Sequence, residues 1–199
     1  MATIDIGSSA IDRVSYQGNN RTLLDKHNPA NGTGTLTSFE IYAVSGNNVT
    51  GLKVGTFYGS GTSWTYRDHE EIGNVTAGSK QTFTGKNCDV SSGDYLAWYI
   101  SGGLIEQSVD SPATEIAVYK LNYDAFSAGT HTLNDNTSNF KLAWSVYATG
   151  ATAGGGPTPA IKVGGVWKET TSQKIKVGGV WKAISNIKVK VSGVWKSAT

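Results

Sequence analysis

The stretch "VTAGSKQTFTGKNCDVSSGDYLAWYIS", residues 75–101, contains two runs of β-branched, aromatic and apolar residues with a turn signal between them. The runs 80–90 and 95–100 predict two β-strands, and "SSGD" predicts the turn that joins them, because Ser, Gly and Asp favour tight turns. A strand that ends in a Gly-Asp turn and leads into a strand crossing the core is typical of the late strands of a jelly roll. The stretch therefore indicates that architecture.

Strand-like and turn-like segments continue to alternate on both sides of this stretch. Phe39, Ile41 and Ala43 occupy every second position, the period expected of a half-buried strand. Further strands are predicted at 35–44, 52–58, 63–72, 114–121 and 140–148. No stretch carries a sustained apolar helical stripe. We therefore predict an all-β fold, with a jelly-roll-like antiparallel β-sandwich over residues 1–149.

The segment "ATGATAGGGPTPA", residues 148–160, has almost no side chain able to join a core and ends in two prolines. We predict a Gly/Pro linker at 150–160, followed by a separate C-terminal segment at 161–199. The charge changes at the same place. Residues from 161 onward carry eight Lys and one Glu, a net charge of +7, which leaves −5 on residues 1–160 out of the total of +2. An acidic body with a basic tail supports two segments.

The tail repeats one phrase three times, as IKVGGVWK (161–168), IKVGGVWK (175–182) and VKVSGVWK (189–196). The units align without gaps at a period of 14 residues, a strong signal of repeated structure. Each Gly pair supplies the positive φ angles that a two-residue hairpin turn requires. We therefore predict an array of three short β-hairpins, with a looser or different turn in the third, where Ser192 replaces the first Gly.

The predicted turn fixes which residues lie opposite one another. Val163 faces Val166, Lys162 faces Trp167 and Ile161 faces Lys168. Since a single hairpin is marginal in water, we expect the tail to be ordered only by packing on the body, on other copies or on a larger assembly. The predicted oligomerisation or anchor residues are Ile161, Val163, Val166, Trp167, Ile175, Val177, Val180, Trp181, Val189, Val191, Val194 and Trp195.

Three other interpretations of the tail remain open. A flexible basic extension is disfavoured because disordered tails do not keep Ile, Val and Trp on a strict period. Nucleic-acid binding through alternating Lys and Trp is disfavoured by the nearly neutral whole chain and by the hairpin geometry, which uses Lys and Trp on one another. Glycan or cell-wall binding through exposed Trp is the third, although Trp serves equally well as core.

The densest polar cluster is "YRDHEEI", residues 66–72. Strand alternation splits its acids and His69 between two faces, so they make a poor metal site or acid/base pair. His27 and His131 are isolated, and no catalytic or phosphate-binding motif is present. The lone Cys88 is expected to be a small core hydrophobe. We expect no enzyme activity, no catalytic residue, no metal and no cofactor.

Aromatic residues near the predicted strand ends are the better functional candidates. Tyr58, Trp64, Tyr66 and Tyr99 are proposed as ligand-binding residues, because aromatic rings at a concave face or loop rim stack on saccharides. The alternative is that tryptophans form the sandwich core. That alternative is favoured for Trp98 and Trp144, which lie in central apolar strands, and is open for Trp64.

Targeting signals are not evident in the sequence. No apolar run approaches the roughly 20 residues that span a membrane, and the start "MATIDIGSSAIDRVS" lacks the basic and apolar regions of a signal peptide. We expect a protein made in the cytoplasm, without a membrane span.

These features together resemble structural proteins of tailed bacteriophage virions. The "KVGGVWK" phrases near the C-terminus are similar to phrases in phage tail, fibre and capsid-associated proteins, and the body "IDRVSYQGNNRTLLDKHNPANGTGTLTSFEIYA" looks like modules of such proteins. The resemblance covers most of residues 4–149 loosely and the repeats more specifically. No site residue carries over from it.

The resemblance implies a non-enzymatic virion component made in the host cytoplasm and displayed on the particle surface. It would be a fibre or tail-associated host-recognition module, or a head-decoration protein, with the repeats anchoring or oligomerising it. The implied partners are further copies of the chain, with a trimer among the options, other virion proteins and a host-surface glycan. The rival hypothesis is a free carbohydrate-binding β-sandwich module of a bacterial system.

Overall fold

The structure is a computed structural model of the chain. It describes residues 2–18, 20–109, 118–133 and 142–152, and the backbone pairing of six C-terminal segments: 160–163, 166–169, 174–177, 180–183, 188–191 and 194–197. The chain divides into two compact units, Met1–Thr152 and Ala153–Thr199. Within the described ranges, no helix is long and apolar enough to cross a membrane.

Thirteen strands occur in the described part of the first unit. They are β1 (Thr3–Gly7), β2 (Ser15–Gly18), β3 (Arg21–Asp25), β4 (Gly34–Tyr42), β5 (Val49–Ser60), β6 (Ser63–Val75), β7 (Lys80–Val90), β8 (Tyr95–Ile100), β9 (Leu104–Val109), β10 (Val118–Leu121), β11 (Thr130–Thr132), β12 (Leu142–Trp144) and β13 (Val146–Thr152). The predicted strands at 35–44, 52–58, 63–72, 80–90 and 95–100 correspond to β4–β8. The segments 114–117 and 140–141, also predicted as strand, lie outside the described residues.

Eight of these strands form two facing sheets. One sheet has the order β1-β13-β4-β7, and the other contains β3-β8-β5-β6, extended at its edges by β10 and β11. All pairings are antiparallel. Counted along the chain, the eight strands are ordered 1-8-3-6 and 2-7-4-5, which is the arrangement of a jelly roll. The predicted all-β, antiparallel, jelly-roll-like sandwich is confirmed.

The six-stranded sheet is buried on both faces. Toward the four-stranded sheet, Leu23, Val54 and Trp98 pack with Phe39 and Ile41 in the main core. On the opposite face a second cluster forms, in which Ala125, Phe126 and Leu133 from the segment after β10 cover the sheet. The sheet residues of that second cluster are Leu24, Phe57, Trp64 and Ala97, with Tyr66, Tyr95 and Tyr99 at its margin.

Side-chain carboxylates of β6 accept hydrogen bonds from the backbone of β7, a strand of the other sheet. Asp68 Oδ2 accepts a hydrogen bond from the backbone N–H of Asp89 at 2.8 Å, and Glu70 Oε1 accepts one from Asn87 N–H at 2.8 Å. On the same strand, His69 bonds Tyr66 through its Nδ1 and packs on Phe126. The predicted split of the "RDHEE" cluster between two faces is confirmed, and its acids satisfy backbone groups at a sheet edge.

A third sheet, β12-β9-β2, adjoins the sandwich. Arg13 ties the preceding loop to it, because the guanidinium donates to Ser145 Oγ and to Ser108 Oγ, each at 2.9 Å, and to Ser9 O. Ser145 Oγ in turn donates to Ile11 O. The loop therefore has a fixed path although Ile11 and Val14 are 51% and 97% exposed.

The predicted linker begins too early. Residues 148–152 belong to β13, where Ala151 pairs with Thr3 of β1 and with Thr35 of β4. A Cβ at Gly150 would lie 2.0 Å from the carbonyl oxygen of Thr35, so this glycine permits a close strand approach at a bulge. Gly150 was interpreted as part of a flexible linker, but the sheet requires a residue without a side chain at this position. Residues 153–159 lie outside the described residues.

In the six described segments of the second unit, the strands form three two-stranded sheets: β14 (Ala160–Val163) with β15 (Val166–Glu169), β16 (Lys174–Val177) with β17 (Val180–Ala183), and β18 (Lys188–Val191) with β19 (Val194–Ser197). Val163 pairs with Val166, Lys162 with Trp167 and Ile161 with Lys168, and the other two hairpins repeat this register. The predicted hairpins and their pairing are confirmed. The turn residues, including Ser192, and the side chains of the predicted anchor residues lie outside the described part of the chain.

Candidate ligand-binding site

The four aromatic residues predicted to bind a ligand do not form one site. Trp64 is 1% exposed and belongs to the second core cluster. Tyr66 and Tyr99 are half-buried at the margin of that cluster, where Tyr66 O–H bonds His69 Nδ1 at 2.7 Å and Tyr99 O–H donates to Asn20 Oδ1 at 3.2 Å. Tyr58 is 44% exposed. Trp98 and Trp144 are fully buried, which confirms them as core.

Trp64 also lines an open pocket of about 360 Å³ beside the β5–β6 hairpin. The segment that follows β3 contributes Lys26, His27 and Pro29. The hairpin contributes Gly59, Ser60 and Gly61, and the rings of Trp64 and Tyr95 complete the lining. The two rings meet edge to face with their centroids 5.4 Å apart, so they hold each other in place.

The hairpin owes its shape to two glycines. Ser60 pairs with Ser63 across the two-residue turn, and Gly61 has a φ of +59°, as the first position of a type II′ turn requires. A Cβ at Gly59 would lie 2.2 Å from Ser63 O, so only glycine fits there. The indole N–H of Trp64 donates to Gly61 O at 3.1 Å and fixes the turn against the ring. The rim of the pocket is therefore preformed.

Asp25 fixes the position of His27, which lines the pocket on the side of β3. Its carboxylate is 1% exposed, accepts from Ser8 Oγ at 2.6 Å and accepts from the backbone N–H of His27 at 2.8 Å. Burial raises the pKa of Asp25 above its usual value, against the opposing effect of the Ser8 hydrogen bond. His27 Nδ1 is buried and has no hydrogen-bond partner among the described residues. Asp25 thus positions His27, and Asp25 itself is not a lining residue.

A salt bridge fixes the strand that carries Tyr95. Arg67 donates from Nε and from a terminal nitrogen to the two oxygens of Asp94, which is 2% exposed on its side chain. The hydrogen bond to Asp94 raises the pKa of Arg67 further. The Arg67 guanidinium carbon lies 4.8 Å from the centroid of the Tyr58 ring, a cation–π contact. Tyr58 was proposed from the sequence as a ligand-binding residue. Its ring packs on Arg67, and the partner of Arg67, Asp94, directly precedes Tyr95.

The pocket is lined by polar groups and aromatic rings. Its polar groups are the Lys26 ammonium, the His27 imidazole, the Ser60 hydroxyl and exposed hairpin backbone, set beside two aromatic rings. No carboxylate is among these lining residues. In the described ranges, no three His, Cys, Asp or Glu side chains are placed to hold a metal ion. The lining thus combines polar groups with aromatic rings, as small-molecule pockets do.

Sequence reasoning missed Lys26, His27 and Tyr95 as lining residues. The signal for Tyr95 was present, because it follows the "SSGD" turn and starts a strand in the same way that Trp64 follows the "GSGT" turn. The signal for Lys26 and His27 was weaker, since it required recognition of β3, whose "RTLLD" sequence does not alternate.

Comparison with known proteins leaves the chain without an assigned family: no family model, no curated protein and no solved structure matches it.

Proposed function

We propose that this protein is a non-enzymatic structural component of a tailed-phage virion, displayed on the particle surface. It acts as a fibre or tail-associated host-recognition module or as a head-decoration protein. In this proposal the C-terminal hairpins anchor or oligomerise the chain and the jelly roll faces outward. Its partners are further copies of itself and other virion proteins, and the host-surface glycan is its ligand.

The observation that carries this proposal is the array of three hairpins with one register. Residue pairs such as Lys162–Trp167, Lys176–Trp181 and Lys190–Trp195 recur at intervals of 14 residues. Each two-stranded ladder leaves both outer edges without a strand partner among the described residues. Isolated two-stranded hairpins are marginal in water, and open edges favour pairing with other chains. An array of this kind gains stability when copies associate.

The first test is the mass of the particle in solution. The pairings described for the first unit all lie within Met1–Thr152, so removal of residues 161–199 leaves the ladders of the jelly roll intact. Mass photometry is expected to give an oligomer for the full chain and a monomer for the truncated chain. An unchanged mass after truncation contradicts the proposed role of the repeats.

The second test is location. Electron micrographs of phage particles labelled with an antibody against the jelly roll are expected to show label on the tail, the fibres or the head. Absence of label from purified particles, with label in the soluble fraction of the same lysate, contradicts the virion proposal.

The pocket favours a second candidate, a free carbohydrate-binding module. Trp64 and Tyr95 beside Ser60 and Lys26 give the apolar and polar surfaces that sugars need. Mass photometry combined with a glycan array separates the two candidates. A monomer that binds glycan and is absent from particles supports the free module, whereas an oligomer found on particles supports the virion protein.

A further inference from the structure

We propose that Asn31, in the loop between β3 and β4, is a site of spontaneous covalent modification, at which the side-chain amide is lost and an aspartyl or isoaspartyl residue forms. Asn31 precedes Gly32 in the only Asn-Gly pair of the sequence. Both residues lie outside the strands, and Asn31 is exposed. The proposal is independent of the virion role, because every residue involved lies in the first unit.

The nucleophile is the backbone nitrogen of Gly32. Within the described ranges its N–H donates to no protein group, so no hydrogen bond has to break before the nitrogen reacts. Glycine also has no Cβ that would keep this nitrogen away from the Asn31 side chain. The loop is fixed on both sides, because Ala30 N–H and Thr33 Oγ1 form hydrogen bonds of 2.8 and 3.0 Å with the turn between β7 and β8. The two residues between these anchors have no strand pairing that opposes the reaction.

The electrophile is the Cγ atom of the Asn31 side chain. Its Oδ1 accepts a hydrogen bond from the backbone N–H of Asp5 at 3.1 Å. A donor at this oxygen draws electron density from the carbonyl carbon. It also stabilises the negative charge that develops on the oxygen when the carbon is attacked, as the donors of an oxyanion hole do. The strand β1 therefore supplies a fixed donor at the atom where the reaction needs one.

The reaction needs water and no other reactant. The Gly32 nitrogen loses its proton to solvent base and forms a bond with Asn31 Cγ. The bond from Cγ to Nδ2 then breaks, and the amide group takes up a proton and leaves as ammonia, which gives a cyclic succinimide. Water adds to one carbonyl carbon of the ring, the ring C–N bond at that carbon breaks, and the nitrogen regains a proton. Opening at Cγ leaves an aspartyl residue, and opening at the main-chain carbonyl leaves an isoaspartyl residue.

The conversion changes a contact at the edge of the four-stranded sheet. The edge strand is β1, and the loop accepts two of its backbone N–H groups: Asp5 N–H donates to Asn31 Oδ1, and Gly7 N–H donates to Asn28 O at 2.9 Å. An aspartyl product adds a negative charge near the Asp5 carboxylate, and like charges repel. An isoaspartyl product also lengthens the main chain of the loop by one carbon atom. We therefore expect the conversion to weaken the hydrogen bonds that cover β1.

Two other asparagines are matched internal controls for the residue that follows. Asn48 is exposed, and its Oδ1 also accepts a backbone N–H, from Ala77 at 2.9 Å. Val49 follows it, however, and a β-branched side chain hinders the approach of the backbone nitrogen. Asn28 precedes Pro29, which has no N–H to lose, so the same ring closure is blocked there.

The test is peptide mapping by mass spectrometry after the full chain has been stored at a mildly alkaline pH. Conversion replaces –NH₂ by –OH in the mass of the peptide, and fragmentation detects the isoaspartyl linkage. Asn31 is expected to convert at least about tenfold faster than Asn48, a barrier difference of about 1.4 kcal/mol, and Asn28 is expected to keep its amide. Equal rates at Asn31 and Asn48 overturn the role of Gly32. Conversion in the urea-unfolded chain but not in the folded chain overturns the site.

Substitutions separate the reaction from its consequence. Asn31→Gln keeps an amide oxygen but requires a larger ring, so it is expected to stay unconverted over the same time. Asn48→Gln is the matched control and is expected to convert at Asn31 as the wild type does. In the converted wild type, amide hydrogen exchange at Asp5 and Gly7 is expected to be at least about tenfold faster than in stored Asn31→Gln. Unchanged exchange after conversion overturns the weakening of β1, and conversion of Asn31→Gln at the wild-type rate overturns the ring mechanism.

Discussion

Trp98 and Trp144 meet edge to face in the core, with ring centroids 6.2 Å apart and ring planes at 80°. Trp98 lies on β8 of the six-stranded sheet and Trp144 on β12 of the three-stranded sheet. The pair therefore joins the small sheet to the jelly roll. The two indoles differ in one respect: Trp144 Nε1 donates to Gln107 Oε1 at 3.2 Å, whereas Trp98 Nε1 has no acceptor among the described residues.

That difference predicts unequal costs for the same substitution. Trp98→Phe and Trp144→Phe remove similar apolar volume, but only Trp144→Phe leaves a buried amide oxygen unpaired. We expect Trp144→Phe to lower the free energy of unfolding by about 1 kcal/mol more than Trp98→Phe does. Urea denaturation of both variants measures the difference, and a larger loss in Trp98→Phe contradicts the assignment of the hydrogen bond.

The Asp25 carboxylate makes stability depend on pH. Because burial raises its pKa in the folded state above the ordinary value of 3.8, the folded chain holds this proton to a higher pH than the unfolded chain does. Its contribution is complete below the unfolded pKa and is lost as pH rises through the folded pKa, at about 1.4 kcal/mol for each pH unit of the window. Asp25→Asn keeps an acceptor for His27 N–H and a donor toward Ser8, so it is expected to flatten this fall and to be the more stable protein at neutral pH.

Thermal unfolding of the wild type and Asp25→Asn across a pH series measures that effect. Asp25→Ala is the control, because it removes the hydrogen bonds to both Ser8 and His27. It is expected to lower the free energy of unfolding at every pH. Parallel pH profiles for the wild type and Asp25→Asn show that Asp25 is not the group responsible.

The Cys88 thiol reports on opening of the core. Cys88 is fully buried, and burial raises the pKa of its thiol. Both effects suppress the reactive thiolate. With a thiol reagent such as Ellman's, we expect the native chain to react at least about a thousandfold more slowly than the urea-unfolded chain, as an opening free energy of about 5 kcal/mol implies. Labelling of the native protein at the rate of a free thiol would mean that Cys88 is accessible.

The Arg67–Asp94 salt bridge is expected to be worth more than an exposed one. Arg67→Gln leaves the Asp94 carboxylate buried without its cation, at a cost of about 3 kcal/mol. The matched comparison is Lys80→Gln. The Lys80 side chain is 47% exposed beside Glu40, so the expected cost is below about 1 kcal/mol. Chemical denaturation of the two variants checks the ranking. Equal costs would indicate that the hydrogen bond from Ser91 N–H is enough to hold the Asp94 carboxylate.

Much of the fold followed from local patterns. The strands β4–β8 were predicted because alternating or apolar runs lie between Gly, Asn and Ser clusters, and turns fix their ends. The hairpin register followed from a Gly pair and a strict period. The strand β1 was missed although Ile4 and Ile6 alternate, because it is only five residues long.

Other elements had no readable local signal. β3 buries Leu23 in the main core and Leu24 in the second cluster, so its sequence lacks alternation. That second cluster depends on Ala125, Phe126 and Leu133, which reach the sheet only through tertiary folding. The end of β13 was read as linker because Gly150 looks flexible, whereas its lack of a side chain lets Thr35 approach.

The candidate pocket was least predictable. Trp64 was chosen from its position near a strand end, but Lys26, His27 and Tyr95 come from other segments and meet it only in the folded sheet. Tyr58, Tyr66 and Tyr99 had the same appearance in sequence, yet their rings pack on Arg67, on Phe57 and in the margin of the second cluster. The presence of an aromatic residue in the sequence therefore does not show whether its ring lines a pocket or packs against other side chains.

Each hairpin of the second unit closes its ladder within its own unit, and the three ladders share one register. Gain or loss of one whole unit therefore leaves the pairing inside every other hairpin unchanged. The length of the tail can therefore change in steps of one unit, and the ladders that remain keep their own pairing.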